Sequence, residues 1–122
     1  MPVQYEVHDK ENYVLLRASG DVSPADWQAL VKSLFADKRI YGGRNFLIDV
    51  SKQKSVISTD VIWTIIDKVP DHNLRSRWAI VVSRAVSVGV ANMLSSLLEG
   101  KNVVVQSFDD LAKALEWMGE PG

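Results

Sequence analysis

The sequence predicts one α/β domain in which strands and helices follow the order β-β-α-β-α-β-α-β-α. Three observations carry this. Apolar and polar residues alternate through Val3, Tyr5 and Val7 and again from Tyr13 to Ala18, the period of half-buried strands. Two short, nearly unbroken apolar runs, Asn45–Val50 and Trp78–Val82, have strand length and suit burial on both faces. Between and after them, apolar residues recur at three- and four-residue spacing, the mark of helices packed on one side.

The first two runs are joined by His8-Asp9-Lys10-Glu11-Asn12, a short polar connector, so they form an antiparallel hairpin. Gly20 closes the second strand. Ser23-Pro24-Ala25-Asp26 then opens a helix: Ser23 caps, Pro24 takes the first helical position, and Asp26 bonds back as in a capping box. Its buried stripe is Trp27, Leu30, Val31, Leu34 and Phe35, and Gly42-Gly43 breaks the chain before the third strand. Ser51 to Ile57 reads as a loop. Ser58 or Thr59 caps a second helix carrying Val61, Ile62, Ile65, Ile66 and Val69, which Pro70 stops. The Trp78–Val82 strand leads to a third helix with Val90, Met93, Leu94, Leu97 and Leu98, ended by Gly100. Val103 to Val105 is the last strand. Ser107-Phe108-Asp109-Asp110 resembles a second capping box, and Phe108, Leu111, Ala112 and Leu115 form the expected buried stripe of the final helix, which closes near Gly119. Strands that alternate with helices imply right-handed parallel crossovers, so the sheet is mixed: an antiparallel first pair, the rest mainly parallel. Residues 1–119 make the domain and Glu120-Pro121-Gly122 a frayed tail.

Composition narrows the function classes. A chain of 122 residues with 47% hydrophobic and 24% charged residues is globular and has one domain's length. There is no cysteine, which removes disulfides, thiolate metal sites and thiol nucleophiles. His8 and His72 have no ligand-spaced partners, so neither a metal nor a cofactor is expected. The first ten residues lack a signal-peptide pattern, and no apolar run approaches the ~18 residues of a membrane span. A cytoplasmic protein without a transmembrane segment is expected. With 14 basic and 15 acidic residues, and only the pairs Lys52/Lys54 and Arg75/Arg77 as basic clusters, no nucleic-acid partner is expected; those pairs read as solvated loop charge.

Few residues suggest chemistry. Gly42-Gly43 precedes a strand, whereas a phosphate loop follows one, and no Gly-x-Ser-x-Gly elbow occurs. Asp109, Asp110 and Asp60 fit helix first turns. Asp49 stands near the C-terminal end of an otherwise apolar strand, where open α/β sheets place functional groups. With Ser51, Ser83 and Arg84 it outlines a polar cleft at strand ends; the competing reading is a carboxylate that bonds loop N–H groups. Trp27 and Trp78 fit core positions. Trp63, beside Ile62, widens the apolar face of the second helix. Ile62, Trp63, Ile66, Met93 and Leu97 are therefore candidates for an apolar ligand or partner face, and core packing accounts for them equally.

The element order together with NFLIDVS, WAIVVS and QSFDDLAKALEWM resembles the SpoIIAA-like family, STAS-type domains also compared with SEC14 lipid-binding proteins. Leu47-Ile48-Asp49, and Phe108, Ala114, Leu115 and Trp117 of the closing helix, carry most of the likeness. The resemblance implies a STAS/SpoIIAA-like fold: a five-stranded mixed sheet, its first strand an antiparallel edge, covered by four helices. It also implies work by protein binding, with a phosphorylated serine at the start of the second helix in a motif like Asp-Ser-Ser-Gly. Here Ile57-Ser58-Thr59-Asp60 occupies that place. Ser58 and Thr59 keep the hydroxyls, but the leading Asp and closing Gly are missing, and Asp60 repels a phosphate; Ser58 reads first as a helix cap.

The expectation is therefore a non-catalytic, STAS-like binding or regulatory module acting on a protein partner or on itself as a homodimer. The alternative is a carrier or sensor of a small apolar or lipid-like ligand. A third reading is a small hydrolase using Ser51, Ser58 or Ser83 near Asp49.

Overall fold

In a computed structural model that describes residues 3–40, 44–54, 59–69, 75–83 and 85–119, the chain forms one sheet and four helices. The strands are β1 (Val3–His8), β2 (Tyr13–Gly20), β3 (Asn45–Gln53), β4 (Ser76–Val81) and β5 (Val103–Phe108). The helices are α1 (Pro24–Ala36), α2 (Thr59–Lys68), α3 (Ala85–Leu98) and α4 (Leu111–Met118), with a 3-10 turn at Glu99–Lys101. Gly42-Gly43, Ser58, Pro70, His72, Arg84 and the tail 120–122 lie outside the described residues.

Strand order in space is β1-β2-β3-β4-β5, the order in sequence. β1 pairs antiparallel with β2 through Val3↔Ala18 to His8↔Tyr13, and every later pair is parallel. The hairpin turns within Asp9–Asn12: Asn12 takes φ of 59°, which its short polar side chain tolerates, and its N–H reaches the Asp9 carbonyl at 3.2 Å. At the head of α1, Ser23 Oγ accepts from the Asp26 N–H at 3.1 Å while Asp26 Oδ2 accepts from the Ser23 N–H at 3.0 Å, the capping box the sequence predicts.

Because the strand order from β2 to β5 never reverses, right-handed crossovers send α1, α2 and α3 to the same side of the sheet. The main core lies there. Val14, Leu16, Phe46, Ile48, Trp78 and Ile80 project from the strands onto Trp27, Leu30, Leu34, Val61, Ile62, Ile66, Leu94 and Leu98 of the helices. The opposite face holds a smaller core of Leu15, Leu47, Ala79 and Val81, closed by Ala114 of α4, with Phe108 and Trp117 packed beside them, ring centroids 5.5 Å apart.

Several elements depart from the sequence reading. β3 runs on to Gln53, through residues expected as loop, by absorbing an extra residue opposite the Arg17–Ser19 step of β2. β4 begins at Ser76, so Arg77 is a strand residue and not solvated loop charge. It is half-buried, donates from Nη1 to the Trp117 carbonyl at 2.7 Å, and sits 5.4 Å from the Trp117 ring centroid. β5 extends to Phe108, so α4 is capped by Asp110, whose Oδ1 accepts from the N–H of Ala112 at 2.7 Å and of Lys113 at 3.3 Å. This later start rotates the helix. Ala114 meets the sheet, whereas Leu111 and Leu115, expected in the buried stripe, are 36% and 39% exposed, and Ala112 is exposed too.

Asp37, just past α1, fastens that helix to the β1 edge. Its carboxylate takes the Arg39 Nε and Nη2 groups at 3.1 and 2.8 Å, the Arg39 N–H at 2.9 Å and the Tyr5 hydroxyl at 2.9 Å. The Arg39 side chain, then the Arg39 N–H, then the Tyr5 hydroxyl hold the Asp37 carboxyl well below its ordinary value of 3.8. A depressed carboxylate stabilises the fold above its ordinary value and loses that contribution as pH falls toward the folded value. Asp37→Asn is accordingly expected to lower the urea midpoint at pH 7. The gap from wild type should narrow as the pH drops below 3.8, the ordinary value of the group.

Candidate functional site

The sheet face under α4 is only partly covered. α4 lies across β3, β4 and β5, so among the described residues no helix covers the strand surface nearer β1. Strand registers order what it presents: Gln4 stands opposite Arg17, and Arg17 opposite Asp49. These three, with Ala18, Ser19, Lys52 and Leu111, line a pocket of about 310 Å³. It lies at the C-terminal ends of β2 and β3, roofed at one corner by the first residue of α4.

Asp49 organises the floor. Its Oδ1 accepts from the Ser51 N–H at 3.0 Å and from the Ser51 hydroxyl at 2.6 Å, across the irregular step of β3. The Ser83 hydroxyl donates to the Ser51 carbonyl at 2.8 Å, which ties the end of β4 to the same step. Asp49, Ser51 and Ser83 are thus linked in a chain of bonds that shapes backbone. Arg84, the fourth member of the predicted cleft, is outside the described residues. The described histidine is remote: His8 stacks on Tyr13 at 4.7 Å, and Tyr13 precedes Arg17, the partner of Asp49, by four residues, roughly 13 Å of strand. Among the described residues no group of His, Asp and Glu could hold a metal ion.

The other predicted residues disperse. Thr59 opens α2, and its side chain, like Ser58 as a whole, lies outside the described residues. Ile62 and Ile66 are buried in the main core at 2% and 5% exposure, while Trp63 between them is 48% exposed. Met93 and Leu97 are half-buried on α3 against that core. Sequence reasoning missed Gln4, Arg17 and Lys52. The available signal was the hairpin itself, since its register puts Gln4 beside Arg17. A second groove, of about 290 Å³, lies between β1 and α1; Val3, Tyr5, Ala29 and Leu30 give it an apolar lining, with Asp26 and Ser33 at its polar margin.

The architecture is shared with a solved structure, that of an uncharacterized protein of the DUF3478 family from Shewanella loihica described as having a SpoIIAA-like fold. The match covers 95% of this chain and 91% of that one with a TM-score of 0.66. The fold is SpoIIAA-like. Sequence identity to that protein is 16%, so the likeness carries the fold alone. No family model matches the chain, and no curated protein does. The SpoIIAA-like sheet, with its antiparallel first strand and four helices, agrees with the architecture that the sequence resemblance implies. No helix among the described residues is long and apolar enough to cross a membrane.

The Asp49–Ser51 contact has a measurable weight. Ser51→Ala removes a hydroxyl and leaves Asp49 with the backbone N–H alone, so unfolding free energy should fall by about 0.5–1.5 kcal/mol, read by urea denaturation.

Proposed function

We propose that this SpoIIAA-like chain is a non-catalytic module that works by binding another protein through the α4 side of its sheet. The observation that carries the reading is the pair Leu111 and Leu115. They stand one turn apart on one stripe of α4, more than a third exposed, and Leu111 borders the Gln4–Arg17–Asp49 pocket. An apolar stripe beside a polar recess is the surface an amphipathic helix or strand of a partner covers, with its apolar residues on the leucines and its polar ones over Arg17 and Lys52. The SpoIIAA-like fold supports a module of this type, and the use of Asp49 and Ser51 in shaping backbone leaves the pocket better suited to recognition than to group transfer.

A photo-crosslinking side chain placed at Leu115, with the same group at exposed Lys32 on α1 as control, tests this in cells. A discrete protein adduct formed from position 115 and absent from position 32 is expected. Adding Leu111→Asp should abolish it while leaving stability within about 0.5 kcal/mol, because Leu111 is exposed. Equal labelling from both positions would sink the reading.

A second reading, carriage of a small apolar molecule, is supported by the groove between β1 and α1. Its volume of about 290 Å³ is close to the lower bound for ligand sites, and it is better placed for this than α2, whose Ile62 and Ile66 fill the core. Native mass spectrometry of freshly purified protein, followed by organic extraction, should then show a discrete extra mass; a bare polypeptide mass counts against carriage.

A further inference from the structure

The two edges of the sheet are built differently. β1 is blunted as edge strands usually are: Glu6 puts charge on it, its side chain 58% exposed, with the polar His8 ring 3.4 Å away. β5 is not. Its sequence, VVVQSF, is six residues long with no charge, no Pro and no Gly, and Val104 is 41% exposed. Such a segment on an open edge is a template for strand pairing. Among the described residues no strand lies on its outer side.

The backbone of β5 fixes which groups face outward. Asn102 and Phe108 give their carbonyls to Ser76 and Val82 at 3.2 and 2.8 Å, on the β4 side. In a parallel pair the residues that bond a given neighbour alternate. Val104 and Gln106 therefore also face β4, and Val103, Val105 and Ser107 turn their N–H and C=O groups to the open edge.

We propose that a second copy of this chain covers that edge, the two β5 strands pairing antiparallel about a two-fold axis at Val105. This register uses every outward group: Val105 pairs with its counterpart and Val103 with Ser107. It also keeps the two sheet faces continuous. Charge selects the same arrangement. The strand is entered past Lys101 and left at Asp109-Asp110. In the antiparallel register Lys101 of each copy lies opposite Asp109 of the other, whereas parallel pairing sets Lys101 against Lys101 and Asp109 against Asp109. Lys101 already donates to the Ile66 and Val69 carbonyls, and Asp109 already meets Lys113, so these charges act through their field and not as new bonds. The interface is independent of the α4 stripe on which the proposed function rests.

In this register Val104 of one copy lies opposite Gln106 of the other, about 4.5 Å apart between Cα atoms and on the α4 face. Both side chains are exposed in the single chain, so they can be changed without touching the core. Sedimentation equilibrium should show a dimer for the wild-type chain. The double variant V104K/Q106K, which sets lysine against lysine twice, should raise the dimer dissociation constant at least tenfold. V104K/Q106E, which sets lysine against glutamate twice, should recover most of it. Hydrogen exchange on the wild type gives a reading free of mutation: the outward amides of Val105 and Ser107 should be as protected as those of Val104 and Gln106. A wild-type monomer with fast exchange at Val105 and Ser107, as when some other protein covers the edge, would overturn the proposal. So would a dimer that V104K/Q106K leaves intact, or one that both double variants weaken alike.

Discussion

The handedness of the crossover is the constraint from which most of this structure follows. A right-twisted parallel sheet accepts its connecting helices on one side for each direction of strand progression. The strands here progress in one direction only, so three helices share one face and, among the described residues, α4 alone remains for the other. The division of the core into a large and a small cluster follows at once. So does the open strand surface near β1, because one helix of eight residues cannot span five strands. An unreversed strand order also has no topological switch point, the place where α/β sheets usually open a crevice between helices on opposite faces. The pocket at Asp49 is instead formed beside a helix end and a strand irregularity.

Cations secure the polar seams of this arrangement. Helix C-termini leave carbonyls without partners, and a long basic side chain can supply several donors at once. Lys101 does so for α2, reaching Ile66 and Val69 at 2.8 and 2.7 Å, and Arg77 for α4 at Trp117. Arg44 is the most deeply placed, 3% exposed, with Nη2 bonded to the Asp9 carboxylate at 2.9 Å and to the Arg39 carbonyl at 2.8 Å. It joins the β1–β2 turn to the approach of β3, so the hairpin and the first parallel strand are locked at the same end.

What the sequence made legible was whatever had a strong period or a distinct end signal. The Ser23–Asp26 box, the α1 stripe, the buried runs of β3 and β4 and the positions of Trp27 and Trp78 all appear where spacing puts them. The failures have a common origin. α4 is short and carries apolar residues on more than one side, so Leu111 and Leu115 compete with Ala114 and Trp117 for the sheet, and only the location of the cap decides between them. Asp110 in place of Ser107 moves that start and turns the leucines outward. Lys52 entered the pocket unseen because an irregular strand pairing leaves no mark in composition, and Arg77 read as loop charge because its strand starts earlier than its apolar run. Trp63 is the converse case: its neighbours Ile62 and Ile66 obey the helical period, and the indole is left outside it.

The sequential strand order also bears on how the chain reaches this state. Each strand pairs with the one made just before it, so no strand has to be inserted between two that have already joined. The β1–β2 hairpin can form from local contacts, and every later strand–helix unit adds to an edge that is waiting. Loop closure at each step spans one crossover helix and its connections, which keeps the entropic barrier of any single step modest. Such a domain can assemble in the direction of synthesis, growing at one edge as residues emerge, and the last strand to dock is the one that supplies the final edge of the sheet.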